Sequence, residues 1–210
     1  MDVLELKEDN INLFVDFQKD TVGLENDFSN RLAYKVFKKK MHLMLLNSEI
    51  IVLGAYNQTM DELMGLVQGG PDGYKNELHS ELYSWAFKLL LFNPLHWISV
   101  KNQKLVWQKV KKKLFRKKTE RTSDNNYKTF SNPYRLQSLY VHENHRGKKV
   151  AQILVSSFTN CVLKTGNYDA ILVSTRINNY PAQKVYTNLN FNIQYKTSKS
   201  IHYYKSIENS

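Results

Sequence analysis

The 210-residue chain has one cysteine, Cys161, so it can form no internal disulfide, and it fits a reducing compartment. Its first ten residues, MDVLELKEDN, carry acids where a secretory leader would carry a basic segment, which leads us to expect a cytoplasmic protein. The most apolar stretch, residues 82–100, is interrupted by Lys88 and by Asn93-Pro94, so we expect no membrane span there, though an interfacial amphipathic helix stays open. There are no internal repeats. Between Glu81 and Glu120 there is no acidic residue at all, while ten cations fall in that interval. The net charge is +11, so the rest of the chain carries only +1. A near-neutral body therefore bears one strongly basic run. Two readings of that run stand: a solvated helix face, or an attractor for anionic lipid, nucleic acid, a phosphorylated substrate or an acidic protein.

Hydrophobic residues make up 42% and aromatics 12%, a globular composition at a length that supports one domain, 1–210. Residues 2–6 are a strand candidate. Residues 9–19 and 25–40 read as helices, the second with Phe28, Leu32 and Val36 at spacing four. Residues 49–56 and 62–68 read as a hairpin, and the Gly-Gly-Pro-Asp-Gly run at 69–73 reads as a break. From Tyr74 the period becomes helical, with Leu78, Leu82, Trp85 and Leu89 on one stripe. A second helix, about 102–118, sets Val106, Val110 and Leu114 against its lysines. These helices and a polar connector form an insertion, residues 71–130. After Pro133 the order is strand 134–141, helix 148–164 closed by Gly166, buried strand 169–175, helix 179–188, and strands 192–196 and 201–205. Two strands around one helix make a parallel crossover.

The turn between the first of these strands and its helix reads His-Glu-Asn-His-Arg-Gly-Lys-Lys, residues 142–149. Helix N-termini present unpaired N–H groups and a partial positive charge, which suit an anion such as a phosphate. Gly147 permits close backbone approach, and Arg146 and Lys148 add charge-assisted contacts. Neither the P-loop spacing nor a dinucleotide fingerprint is present. The two histidines lack metalloprotease spacing, Cys161 reads as a small core residue, and no Ser-His-Asp order can be traced.

Two patterns together are more specific than the turn. Leu139-Tyr140-Val141 is followed by Arg146-Gly147-Lys148 and Ala151; further on, Asn179, Ala182, Tyr186, Leu189, Asn190 and Phe191 recur at fixed spacing. The chain in this region, about 134–205, resembles the GNAT superfamily of acetyl-CoA-dependent N-acetyltransferases. The resemblance implies an α/β fold: a mixed, mostly antiparallel central sheet, a parallel cofactor-binding βαβ unit, and here a helical insertion between the third and fourth strands. It implies that Leu139, Tyr140 and Val141 pair with the pantetheine arm of acetyl-CoA. Arg146, Gly147, Lys148, Lys149, Val150 and Ala151 would hold the pyrophosphate, and Asn179 would touch the cofactor arm. Tyr186 would protonate the departing thiolate, a role a phenol within hydrogen-bond reach can fill. Two positions depart from the family pattern. Lys149 stands where a glycine is usual, and its Cβ bears on cofactor affinity. Asn190 also replaces a glycine, and Asn tolerates the left-handed conformation expected there. No motif marks a general base; Glu77 and His79 read as helix-cap or surface residues. The expected reaction is acetyl or short-acyl transfer to an amine, foremost one on a phosphorylated acceptor such as a nucleotide-linked amino sugar. A protein or peptide amine is the alternative. A non-catalytic module holding an anionic membrane or nucleic acid through the basic insertion is the rival from another class.

Overall fold

The computed structural model describes residues 1–22, 27–59, 62–92 and 128–207. The basic run at 101–118, and with it the expected second helix of the insertion, lies outside the described residues. The first strand, Asp2–Glu5 (β1), is followed by helices Ile11–Val22 (α1) and Asp27–Leu46 (α2). Strands Ile51–Tyr56 (β2) and Leu63–Pro71 (β3) form the expected hairpin, and helix Tyr74–Phe92 (α3) follows. Then come strand Pro133–Val141 (β4), helix Val150–Thr165 (α4), strand Ala170–Arg176 (β5), helix Tyr180–Asn188 (α5) and strands Asn192–Lys196 (β6) and Ser200–Ser206 (β7). The seven strands make one sheet in the order β1-β2-β3-β4-β5-β7-β6. Every neighbouring pair is antiparallel except β4 and β5, which are parallel as the crossover requires.

The expected break at 69–73 is displaced. Gly69 and Gly70 lie inside β3, which runs on to Pro71. Their lack of side chains serves packing rather than turning. A Cβ on Gly69 would collide with the Arg135 carbonyl and the Phe158 ring, and one on Gly70 would sit 2.7 Å from the Tyr74 ring. The turn itself is at Asp72-Gly73, where Gly73 has φ +99°.

Two apolar layers sandwich the sheet. On α4, Val150, Leu154, Val155, Phe158 and Val162 are buried in one cluster with Tyr134, Ile171, Val173, Tyr186 and Tyr203. In the other, Phe14, Val15 and Phe17 of α1 and Met41 and Met44 of α2 pack with β2, β3 and the start of α3. Burial of such side chains contributes about 1.5–3 kcal/mol each. Cys161 packs at the edge of the α4 layer, and burial pushes its thiol up from the ordinary value, with Glu5 adding to the shift; both suit a core residue.

Tyr134 fixes the start of β4. Its ring is fully buried, and its hydroxyl accepts from the Ile51 N–H (3.0 Å) and donates to the Glu49 carbonyl (2.7 Å). The Asp169 carboxylate accepts from the N–H groups of Ser131 (2.6 Å) and Asn132 (3.1 Å), tying the approach to β4 to the start of β5. The parallel pair is therefore anchored at its beginning.

Candidate active site

The parallel pairing ends early. Pro133–Leu136 of β4 faces Ala170–Val173 of β5, yet β4 continues to Val141 and β5 to Arg176. Beyond Leu136 and Val173 the two strands part. A local irregularity sits at this point: Gln68 of β3 faces Ser138 while the next residue, Gly69, faces Leu136, so Gln137 is an extra residue in β4. Such a bulge raises local twist and bends the strand.

A cleft of about 610 Å³ opens where the strands part. One wall is β4, including Gln137, Ser138, Leu139 and Tyr140; another is Ser174, Thr175 and Arg176 of β5 with Asn179, Ala182 and Tyr186 beyond it. The third comes from the amino-terminal helices and carries Phe17, Phe37 and Lys40. Of the residues expected to serve the site, Leu139, Tyr140, Asn179 and Tyr186 line this one cleft. Val141 and the turn 146–151 are not among the lining residues. They follow at the carboxyl end of β4, where the Arg146 side chain donates to the Val141 carbonyl (3.3 Å).

The turn has the geometry of a backbone cradle. Gly147 adopts φ +79° with open space around its missing Cβ, and Lys149 adopts φ +61° as the N-cap of α4. The first backbone bond of α4 runs from Ile153 N–H to the Lys149 carbonyl (3.1 Å), so the N–H groups of Val150, Ala151 and Gln152 have no intrahelical partner. No side chain caps them from Lys149. The residue standing in for glycine thus takes up the left-handed backbone of a glycine, at a cost of about 1–2 kcal/mol for an L-residue.

Tyr186 is buried and held between two aromatic rings. It is 3% exposed, its ring lies 5.6 Å from that of Tyr203 and 5.8 Å from that of Phe191. The α5 terminus explains the second contact. Asn190, with φ +60°, donates its N–H to the Thr187 carbonyl (3.1 Å), and Phe191 donates to the Tyr186 carbonyl (3.0 Å). This is the Schellman pattern with its apolar contact between the residue after the cap and the last turn. Burial pushes the Tyr186 phenol well above its ordinary value, with Tyr203 adding to the shift, so it keeps its proton at any physiological pH. Asn179 caps α5, its Oδ1 accepting from Ala182 N–H (3.4 Å), which leaves the amide NH₂ available to the cleft.

Three site residues escaped the sequence reading. Lys40 Nζ donates to Gln68 Oε1 (3.3 Å), and Gln68 Nε2 donates to Ser138 Oγ (3.3 Å). Lys40 had a readable signal, since it sits with Phe37, Met41 and Met44 on the inward stripe of α2. Gln68 and Ser138 had none, because only strand register brings them together. Elsewhere, His145 Nε2 lies 2.9 Å from Glu62 Oε1, and among the described residues no group of three His, Cys, Asp or Glu is placed to hold a metal. No described helix is long and apolar enough to cross a membrane.

A family model described as FR47-like protein matches residues 128–201. No curated protein matches the chain by sequence. Among solved structures, a GNAT-family acetyltransferase from Streptococcus pneumoniae is 12% identical, with 98% of each chain covered and a TM-score of 0.57. Arabidopsis thaliana NAA60, solved in complex with acetyl-CoA, is also 12% identical, with 98% of each chain covered and a TM-score of 0.53. The ribosomal-protein-S5-alanine acetyltransferase of Vibrio fischeri is 10% identical, with 99% of this chain and 93% of that one covered and a TM-score of 0.57. At such identities the likeness is one of fold. The chain has the GNAT fold, and its residues 128–201 match the FR47-like family model.

Proposed function

We propose that the chain is an acetyl-CoA-dependent N-acetyltransferase that moves an acetyl or short acyl group to an amine. The observation that carries this reading is the parting of β4 and β5. It leaves one edge of β4 open over Leu139 and Tyr140, with a proton-holding tyrosine across the cleft and an amide-lined turn at the strand's end. The solved complex of NAA60 with acetyl-CoA, on the same fold, supports it.

Acetyl-CoA supplies an activated thioester. The turn, residues Arg146, Gly147, Lys148, Lys149, Val150 and Ala151, binds the pyrophosphate through backbone N–H groups, the positive end of α4 and three cationic side chains. The backbone of Leu139, Tyr140 and Val141 receives the pantetheine arm as an added strand, and an N–H of this edge polarises the thioester carbonyl. The Asn179 amide donates to the same arm. As the neutral acceptor nitrogen bonds to the carbonyl carbon and the C–S bond breaks, the nitrogen sheds one proton to solvent, the Tyr186 hydroxyl delivers its own to the thiolate, and the tyrosine recovers a proton from solvent. Holding amine and thioester together supplies most of the acceleration.

The acceptor is an amine on a phosphorylated small molecule, such as a nucleotide-linked amino sugar, drawn in by the basic run at 101–118. The Vibrio fischeri neighbour is named for a protein acceptor, so a protein or peptide amine in acidic surroundings is the second reading. Calorimetry with acetyl-CoA, followed by a CoA-release assay over amino sugars, polyamines and peptides, tests the function. Saturable binding and turnover with at least one amine are expected. Absence of binding at millimolar acetyl-CoA and longer acyl-CoAs would overturn it and leave the anionic-surface module standing.

A further inference from the structure

The helical wall of the cleft carries a charge that acetyl-CoA chemistry does not use. Lys40 lines the cleft from α2, and its Nζ is bound to Gln68, which is 6% exposed and is itself bound to Ser138, the residue preceding Leu139. Among the described residues that line the cleft there is no carboxylate, and Arg176 is a second cation there. The charged neighbour that acts on Lys40 is another cation: burial, then Lys75 at the start of α3, pull its ammonium down to about 8. His79, one turn further along α3, is lowered by burial, by Lys75 and by Lys40. Lys40 and Arg176 are thus the cations on the described lining of the cleft, and Lys75 acts on Lys40 from α3.

A half-buried ammonium held by a neutral amide beside another lysine is costly, because burial removes water that, among the described residues, no opposite charge replaces. The cost disappears when an anion binds. Gln68 also fixes the direction of the ammonium, because its own NH₂ is committed to Ser138. We propose that Lys40, oriented by Gln68, is the seat for an anionic group, a carboxylate or a phosphate, on the amine acceptor. The inference rests on the N-acetyltransferase reading and narrows it to amines that carry a negative charge within the cleft. Polycationic amines are disfavoured by the same charge and by Arg176.

The test uses the whole chain saturated with acetyl-CoA, so that the turn 146–151 is occupied, titrated calorimetrically with inorganic phosphate and, separately, with acetate. The variants are Lys40→Gln, which removes the charge, and Lys40→Arg, which keeps it. Wild type is expected to bind at least one of the two anions. Lys40→Gln should weaken that binding about ten-fold, as for loss of a charge-assisted hydrogen bond, and Lys40→Arg should retain it within about three-fold. Which anion binds more tightly tells a carboxylate acceptor from a phosphorylated one. The proposal falls if wild type binds neither anion, or if Lys40→Gln binds them as wild type does. It falls equally if Lys40→Gln and Lys40→Arg both abolish turnover while leaving anion binding intact, since Lys40 would then be a proton acceptor. Should acetyl-CoA itself fail to bind, the enzyme reading fails, and the comparison of Lys40→Gln with wild type in ligand-free protein still reports on the anion seat.

Discussion

Replacing Lys149 by glycine should stabilise the protein. Lys149 sits at φ +61°, where an L-side chain costs about 1–2 kcal/mol. Its side chain makes no capping hydrogen bond, so the substitution sacrifices none. Against the relief stands the larger conformational freedom of glycine in the unfolded chain, about 0.4–1 kcal/mol. Taking the middle of each range, the net gain is about 0.8 kcal/mol. For a chain of this length each kcal/mol moves Tm by about 2–4 °C, so Lys149→Gly should melt roughly 1–4 °C higher by differential scanning fluorimetry. Lys149→Asn, which tolerates the same backbone, should fall between the two. The cofactor turn would lose one cation, so acetyl-CoA affinity should depend less steeply on salt in the glycine variant. A lower Tm for Lys149→Gly, with Asn no better than Lys, would refute the strain argument. It would mean that the lysine contributes contacts or solvation worth more than its backbone costs.

Four further outcomes are expected. Tyr186→Phe should lower kcat by roughly ten- to a thousand-fold in steady-state assays with little change in acetyl-CoA affinity; an unaltered kcat would show that another group protonates the thiolate. Lys40 holds its proton less tightly in the fold than in the unfolded chain, so the unfolded state binds more protons from about pH 8 up to its ordinary value of 10.5, and stability rises with pH across that window. Lys40→Met should therefore raise Tm at neutral pH, by a margin that shrinks through the window; a constant margin contradicts the assignment. Gly69→Ala should destabilise by about 1–3 kcal/mol in urea melts, because its Cβ meets the Arg135 backbone and Phe158, and near-wild-type stability would show that α4 yields easily. Neutralising Lys111, Lys112 and Lys113 together should raise the acceptor KM and leave that of acetyl-CoA unchanged; unchanged kinetics with lost vesicle sedimentation would make the basic run a membrane-surface anchor instead.

The parts of the molecule that could be read from sequence are those whose information is local. The turn 146–151, Gly166 as the cap of α4, and Asn190 as the left-handed residue after α5 are each decided within a few residues, and each is found where the pattern put it. Strand β6 matches its expected bounds for the same reason. The in-strand position of Gly69 and Gly70 was not legible, because what makes those glycines necessary is the Arg135 carbonyl, the Phe158 ring and the Tyr74 ring, two of them far along the chain. Helix α2 extends to Leu46, beyond the expected end at Lys40, since Met41 and Met44 continue the buried stripe that the lysine run disguised. The Lys40-Gln68-Ser138 chain depends on a register that no single segment encodes.

The seam between β4 and β5 divides the sheet mechanically. Strands β1 to β4 form one antiparallel plate and β5, β7 and β6 another, and the backbone ladder joining them spans only four residue pairs. Past that seam the two plates no longer bond to each other, and apart from such carbonyls as Val141, bound to Arg146, and Arg176, bound to the Asn179 N–H, their facing peptide groups turn to solvent or a guest molecule. Amide hydrogen exchange should register this directly. The inward-facing N–H groups of β4 beyond Leu136 should exchange far faster than those bonded to β3, although both belong to the same strand. A molecule that stitches across the gap would slow them together, and it would also stiffen the hinge between the two plates.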